Sequence, residues 1–167
     1  MLIFLIGFMG CGKSYTARNL SSKINVPFVD SDNFIADKIG ISIKEIFGTK
    51  GEEFFRNEEK DFIINLDKKQ DLIIATGGGM PCFENNIELM NQKGITIFLN
   101  RDKNENLKRL LKGKEKRPLI ANLSDAEISD FYDKKFKERK GYYENALLHV
   151  NNADYNEIAI YIKALGL

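Results

Sequence analysis

Between Gly7 and Ser14 the chain reads GFMGCGKS, two glycines at a fixed interval followed by lysine and serine. An apolar, β-branched run of strand length (2–6) precedes it, and a helix-compatible stretch (13–23) follows. Between them the chain must turn sharply with its N–H groups pointing inward. Such a turn presents several donors and a helix N-terminus to an anion. Lys13 adds a mobile positive charge for the β and γ phosphates, and Ser14 offers a hydroxyl to Mg²⁺. The chemistry indicated is the grip of a nucleoside triphosphate with magnesium. A glycine-rich turn with a chance Lys-Ser is the plainer explanation, and the strand-then-helix context disfavours it.

Other candidates fall just after strand-like runs. VPFV (26–29) leads into Asp30, Ser31 and Asp32. On extended backbone two carboxylates one residue apart share a side. Asp30 is then expected to face the phosphate loop and support Mg²⁺ through water. Asp32 is expected further out, where it can orient or deprotonate an acceptor hydroxyl. Capping of the next helix competes as an explanation. LIIAT (72–76) leads into Gly77, Gly78 and Gly79, three positions without side chains, which a ligand could approach closely.

Most basic residues here are lysines, so the few arginines, with their planar fork for carboxylate or phosphate, merit separate scrutiny. Arg56 in GEEFFRNEE (51–59) is spaced for surface ion pairs with Glu52 and Glu59. Arg117 lies in a polar, basic stretch (112–124) suited to a lid that closes over a triphosphate; a merely solvated loop is the alternative. Arg139 precedes Gly141, where a helix end would also favour a cation.

These residues need a frame. Five strand-like runs (2–6, 26–29, 72–76, 95–99 and 147–150) alternate with helix-compatible stretches, and several are apolar throughout. That pattern predicts an α/β three-layer fold with a parallel sheet covered on both faces. Ligands of such sheets lie beyond the C-terminal strand ends. The 167 residues are expected to form one domain (1–167), with a charged helical insert at about 33–66 and a lid at about 112–122. A composition of 43% hydrophobic and 29% charged residues argues against disorder, and a net charge of +1 gives no reason to expect nucleic acid or membrane partners. The two cysteines, Cys11 and Cys82, form neither a metal pattern nor a disulfide framework, and a reducing cytoplasm fits. The apolar start lacks the basic region of a signal peptide, and no run is long enough for a bilayer span. Cys11, beside Lys13 and a helix start, could be a reactive thiolate unless burial prevents it.

Together the motifs resemble the shikimate kinase family. GFMGCGKS is similar to its phosphate loop, DSD to its D-x-D, and GEEFFRNEE to G-E-x-x-F-R-x-x-E. GGG is similar to its glycine triplet, RPL (117–119) to its lid arginine, and RKGYY to R-x-P-x-Y through Arg139 and Tyr143. The resemblance implies a P-loop kinase fold with a five-stranded parallel sheet in the order 2-3-1-4-5. It also implies ATP-dependent phosphorylation of the 3-hydroxyl of shikimate by a cytoplasmic monomer that uses Mg²⁺. ATP would meet Gly10, Cys11, Gly12, Lys13, Ser14, Tyr15, Arg109 and Arg117, with Arg109 under the adenine. Ser14 and Asp30 would serve the metal. Shikimate would meet Asp32, Arg56, Gly78, Gly79 and Arg139, the two arginines clamping its carboxylate. Lys13, Asp32 and Arg117 would carry catalysis. Tyr15 stands where the family usually has threonine, Gly141 where it has proline, and NNADYNE lacks a proline frequent in the adenine loop. A kinase of another hydroxy acid such as gluconate, or a paralogue that only binds nucleotide, are the alternatives. A GTPase switch would need N-K-x-D, which does not occur.

Overall fold

The computed structural model describes residues 1–117, 119–152 and 154–166. Pro118, part of the expected lid motif, lies outside the described residues. Five strands, β1 (Leu2–Ile6), β2 (Phe28–Asp30), β3 (Leu72–Ala75), β4 (Ile95–Asn100) and β5 (Leu148–Asn151), form one sheet in the order β2-β3-β1-β4-β5, every pairing parallel. This is the architecture expected from the alternating pattern and the resemblance. β1 is central, pairing Leu2 with Leu72 on one side and Ile3 with Ile95 on the other. All five of its residues are buried, because helices cover both faces and neither tolerates a polar side chain.

Alternate β1 side chains feed two cores. Leu2, Phe4 and Ile6 join Phe62, Ile63, Met90 and Tyr143, supplied by α4 (Gly51–Asn65), α5 (Asn86–Lys93) and α7 (Asp125–Glu144). Ile3 and Leu5 join Leu20, Ile158 and Ile162 from α1 (Lys13–Ile24) and α8 (Tyr155–Ala164). α2 (Ser31–Ile39) and α3 (Ile43–Thr49) pack on α4 through a small third core of Ile35, Ile46 and Phe55. The expected insert is therefore built of two short helices and the longer α4, with Gly40 and Gly51 taking left-handed backbone where they separate. α6 (Lys103–Lys112) and α7 bracket the expected lid segment. A capping box, in which Ser124 and Glu127 satisfy each other's backbone N–H groups, restarts the helix at α7.

Two expectations need correction. Asp30 and Asp32 do not share extended backbone: Asp30 ends β2 and caps α2, while Asp32 belongs to the first helical turn. Arg139 is not at a helix end either. α7 continues through Gly141 to Glu144, so a dipole effect confined to the last turn does not explain the arginine. No described helix is long and apolar enough to cross a membrane.

Candidate active site

The loop joining β1 to α1 turns through Gly10 and Gly12, whose φ values of 82° and 103° a side chain would resist. With this turn made, α1 starts at Lys13 and its first N–H groups are left for an anion. Lys13 bends back over the loop, and its Nζ donates to the carbonyls of Gly7 (2.8 Å) and Phe8 (3.1 Å). Ser14 Oγ donates to Asp30 Oδ2 at 2.5 Å, while Asp30 Oδ1 accepts from the N–H groups of Asp32 and Asn33. Asp30 thus both caps α2 and joins the phosphate loop to the end of β2. The Ser14–Asp30 pair is a donor set suited to Mg²⁺, which takes few protein ligands and keeps waters and phosphate oxygens. The described residues contain no cluster of three or more His, Cys, Asp or Glu side chains that would suit a fully protein-caged metal instead.

A cleft of about 280 Å³ lies over this loop, and Gly10, Gly12, Lys13 and Ser14 are joined there by Tyr15, Arg109 and Arg117. Five of the six expected loop contacts thus share one space with both expected distal arginines. Cys11 does not line it. Its side chain is fully buried, its backbone N–H donates to the Phe8 carbonyl (3.3 Å) and its carbonyl accepts from Arg101, so Cys11 shapes the loop from beneath, and burial keeps the thiol out of reach. Arg117 Nη1 points at the carbonyls of Arg109 and Leu110 at the end of α6 (3.5 and 3.4 Å).

The second site is built by close approach to glycine. A Cβ on Gly79 would lie 2.5–2.6 Å from the Arg56 guanidinium, and one on Gly77 would lie 2.5 Å from Asp32 Oδ1 and 2.7 Å from Glu59 Oε1. The close neighbours at these two positions are the protein's own side chains. Gly78 has more room: its nearest neighbours would be Met9 N, Gly7 O and Arg139 Nη1 at 3.4–3.7 Å. Tyr143, fully buried, donates its hydroxyl to the Gly78 carbonyl at 2.7 Å and so holds the glycine turn.

Arg56 makes the ion pairs its spacing suggested, to Glu52 (2.8 Å) and Glu59 (2.7 Å), yet it is no surface residue, with a side chain only 12% exposed. The two carboxylates hold the guanidinium in place, and Glu59 is fully buried. Arg56, Gly79 and Arg139 line a cleft of about 420 Å³. Arg139 has no carboxylate within ion-pair distance among the described residues, so its charge is not neutralised by a bridge, while its side chain also meets the Tyr143 hydroxyl. Asp32 and Gly78 adjoin this cleft without lining it. Burial, then the adjacent Asp30 charge, raise the Asp32 carboxyl to about 6, with Lys13 and Arg56 pulling the other way. Burial raises Glu59 to about 7 against the pull of Arg56. Each carboxylate keeps one sealed oxygen without a hydrogen-bond partner.

Three residues at the site carry no buried or binding role in the sequence analysis, where Glu59 is only a surface ion-pair partner of Arg56. Glu59 shares the buried stripe Phe55, Glu59, Phe62 and Ile63 of α4, so its place on an otherwise apolar helical face was the available signal. Arg101, directly after β4, donates to the carbonyls of Cys11 (3.0 Å) and Asn152 (2.9 Å) and braces the phosphate loop against the turn after β5. The strand-end rule would have found it. Cys82 lines the Arg56–Arg139 cleft, and burial pushes its thiol up to about 11, which keeps it protonated at neutral pH.

A phosphate loop with a serine–aspartate pair, beside a cleft carrying a fixed guanidinium and a buried carboxylate, defines a small-molecule phosphotransferase of the P-loop kinase class. Residues 9–165 match the shikimate kinase family. The chain is 36% identical to a shikimate kinase of Bacteroides thetaiotaomicron over 91% of its length and 86% of that protein's. It is 40% identical to one of Flavobacterium johnsoniae over 86% and 85%. Among solved structures, shikimate kinase from B. thetaiotaomicron superposes with a TM-score of 0.90 at 32% identity, covering 99% of this chain and 97% of that one. The Acinetobacter baumannii enzyme in complex with shikimate gives 0.84 at 30% identity, covering 98% and 91%. The chain belongs to the shikimate kinase family.

Proposed function

We propose that the protein transfers the γ-phosphoryl group of ATP to the 3-hydroxyl of shikimate. The observation that carries this is the Arg56 guanidinium, locked by Glu52 and Glu59 against Gly79 in the cleft that Arg139 shares, next to the phosphate loop. Two arginine forks are suited to one carboxylate, and their separation from Lys13 and Ser14 into a second cleft suits an acceptor distinct from the nucleotide.

Gly10, Gly12, Lys13, Ser14 and Tyr15 hold the triphosphate through backbone N–H groups, and Lys13 neutralises charge on its β and γ phosphates. Ser14 and Asp30 hold Mg²⁺, which when bound supplies further charge neutralisation there. Asp32 accepts the proton of the 3-hydroxyl. Its raised basicity makes it a better acceptor than an ordinary aspartate while leaving it ionised at neutral pH. Gly78 and Gly79 give the ring room, and Arg56 and Arg139 fix the carboxylate. Arg109 faces the base, and Arg117 on the 112–122 lid adds positive charge as that segment closes and excludes water. The 33–66 insert carries the acceptor, in a cytoplasmic monomer acting on small molecules with neither nucleic acid nor membrane as partner.

The test is ADP release with Mg·ATP and either shikimate or gluconate, in the parent and in Asp32→Asn. Release that depends on shikimate and falls ~10²–10⁴-fold in the variant is expected. Turnover of gluconate but not shikimate would overturn the substrate, and a fully active Asp32→Asn would return Asp32 to helix structure alone.

A further inference from the structure

The side chain of Tyr15 is an exposed part of the phosphate-loop cleft that the triphosphate chemistry does not explain. It lies in the first turn of α1, directly after Ser14, with 61% of its surface exposed. Its ring meets the ring of Tyr155, the first residue of α8, edge to face, with centroids 6.4 Å apart and an interplanar angle of 68°. Tyr155 is packed against the core between α1, α8 and the sheet. The turn preceding it is tied to the phosphate loop, because Arg101 bridges the carbonyls of Asn152 and Cys11. The supporting ring is thus fixed relative to the phosphate site, and Tyr15 rests on it with the remainder of its surface open.

The cleft's floor is Gly10 to Ser14, which the phosphates occupy. The remainder of a nucleotide must leave along the side chains that extend beyond the floor: Tyr15, Arg109 and Arg117. Of these only Tyr15 offers an aromatic face. An isolated exposed tyrosine would need no explanation, but one held by a second ring at the rim of an anion site is a stacking platform. We propose that Tyr15, supported by Tyr155, binds the nucleotide's base through its π-face. Stacking reads ring size and not the hydrogen-bonding edge, so purines are preferred to pyrimidines and adenine is distinguished only weakly from guanine. Tyr15 then acts as a specificity residue. The inference rests on the cleft being the nucleotide site, and the experiment separates the two claims.

Affinities for ADP, GDP, CDP and inorganic tripolyphosphate, each with Mg²⁺, are measured by calorimetry in the parent, Tyr15→Ala, Tyr15→Phe and Tyr155→Leu. Tyrosine emission is recorded alongside, since the chain has six tyrosines and no tryptophan. Tripolyphosphate binding to the parent tests the anion site alone. In Tyr15→Ala, ADP and GDP are expected to weaken about tenfold or more. Tripolyphosphate should be unchanged, and Tyr15→Phe should bind like the parent. ADP should quench tyrosine emission in the parent more than tripolyphosphate does, and that difference should shrink in Tyr15→Ala. Tyr155→Leu should weaken ADP in the same direction by removing the support. The proposal is overturned if Tyr15→Ala leaves ADP affinity unchanged, if it weakens ADP and tripolyphosphate equally, or if the parent binds CDP as well as ADP.

Discussion

Gly79→Ala is expected to separate substrate binding from folding. The added Cβ would stand 2.5–2.6 Å from Nη2, Cζ and Nη1 of Arg56, about 1 Å inside ordinary van der Waals contact. Something must yield, and a guanidinium at the end of a flexible side chain yields more easily than backbone. The fork then retreats about 1 Å, enough to break the alignment of a charge-assisted hydrogen bond to a carboxylate. Such a bond contributes ~1.5–3 kcal/mol, equivalent to roughly 10–150-fold in affinity. We predict a KM for shikimate raised on that order, with the KM for ATP and the melting temperature little changed, in a coupled ADP-release assay and a thermal melt. Gly94→Ala is the contrast. Its Cβ would run into the carbonyl and Cβ of Leu2 in the central strand, where nothing flexible can move, so a loss of at least ~2 kcal/mol of stability is expected. An unchanged shikimate KM in Gly79→Ala would refute the assignment of the Arg56 fork to the substrate.

The buried Glu59 makes stability depend on pH. A carboxyl raised from 4.5 to about 7 on folding contributes stability that is fully present below pH 4.5 and lost as pH rises through about 7. The loss approaches ~3 kcal/mol, and Glu59→Gln should flatten that part of the denaturation profile; a profile as steep in the variant would assign it to other groups. Gly141 lies inside α7 with open space where a Cβ would go, so Gly141→Ala should raise stability by ~0.5–1 kcal/mol in urea titrations. A lowered midpoint would mean that the helix needs the glycine. Arg101→Lys keeps a charge but cannot reach the Cys11 and Asn152 carbonyls as a fork does. We expect weaker ATP binding by several-fold with shikimate binding unaffected, and equal loss for both ligands would reject a brace confined to the nucleotide side.

The phosphate loop, the layered α/β fold and its five strands were legible because each is a short-range signal. Glycine spacing, a β-branched run and a 3.6-residue period are written within one turn or strand, and the buried β1 run already announced a sheet covered on both faces. Strand order entered through resemblance, since local patterns carry no record of which strands become neighbours. DSD marked the end of a strand correctly, but which carboxylate stays on β2 and which enters α2 depends on where the Asp30 cap forms. Burial was the larger omission. Spacing alone makes Glu52, Arg56 and Glu59 a surface pair of bridges, and only the packing of α4 against the Gly77–Gly79 turn, some twenty residues later in the chain, buries Arg56 and Glu59 and leaves Glu52 at the exposed rim. The same packing raises the Asp32 and Glu59 carboxyls, because desolvation is set by what surrounds a group and not by its sequence neighbours, and the core on the other face of the sheet encloses Cys11. The sequence determined which chemical groups are available; the tertiary structure decided which of them are held, charged and reachable.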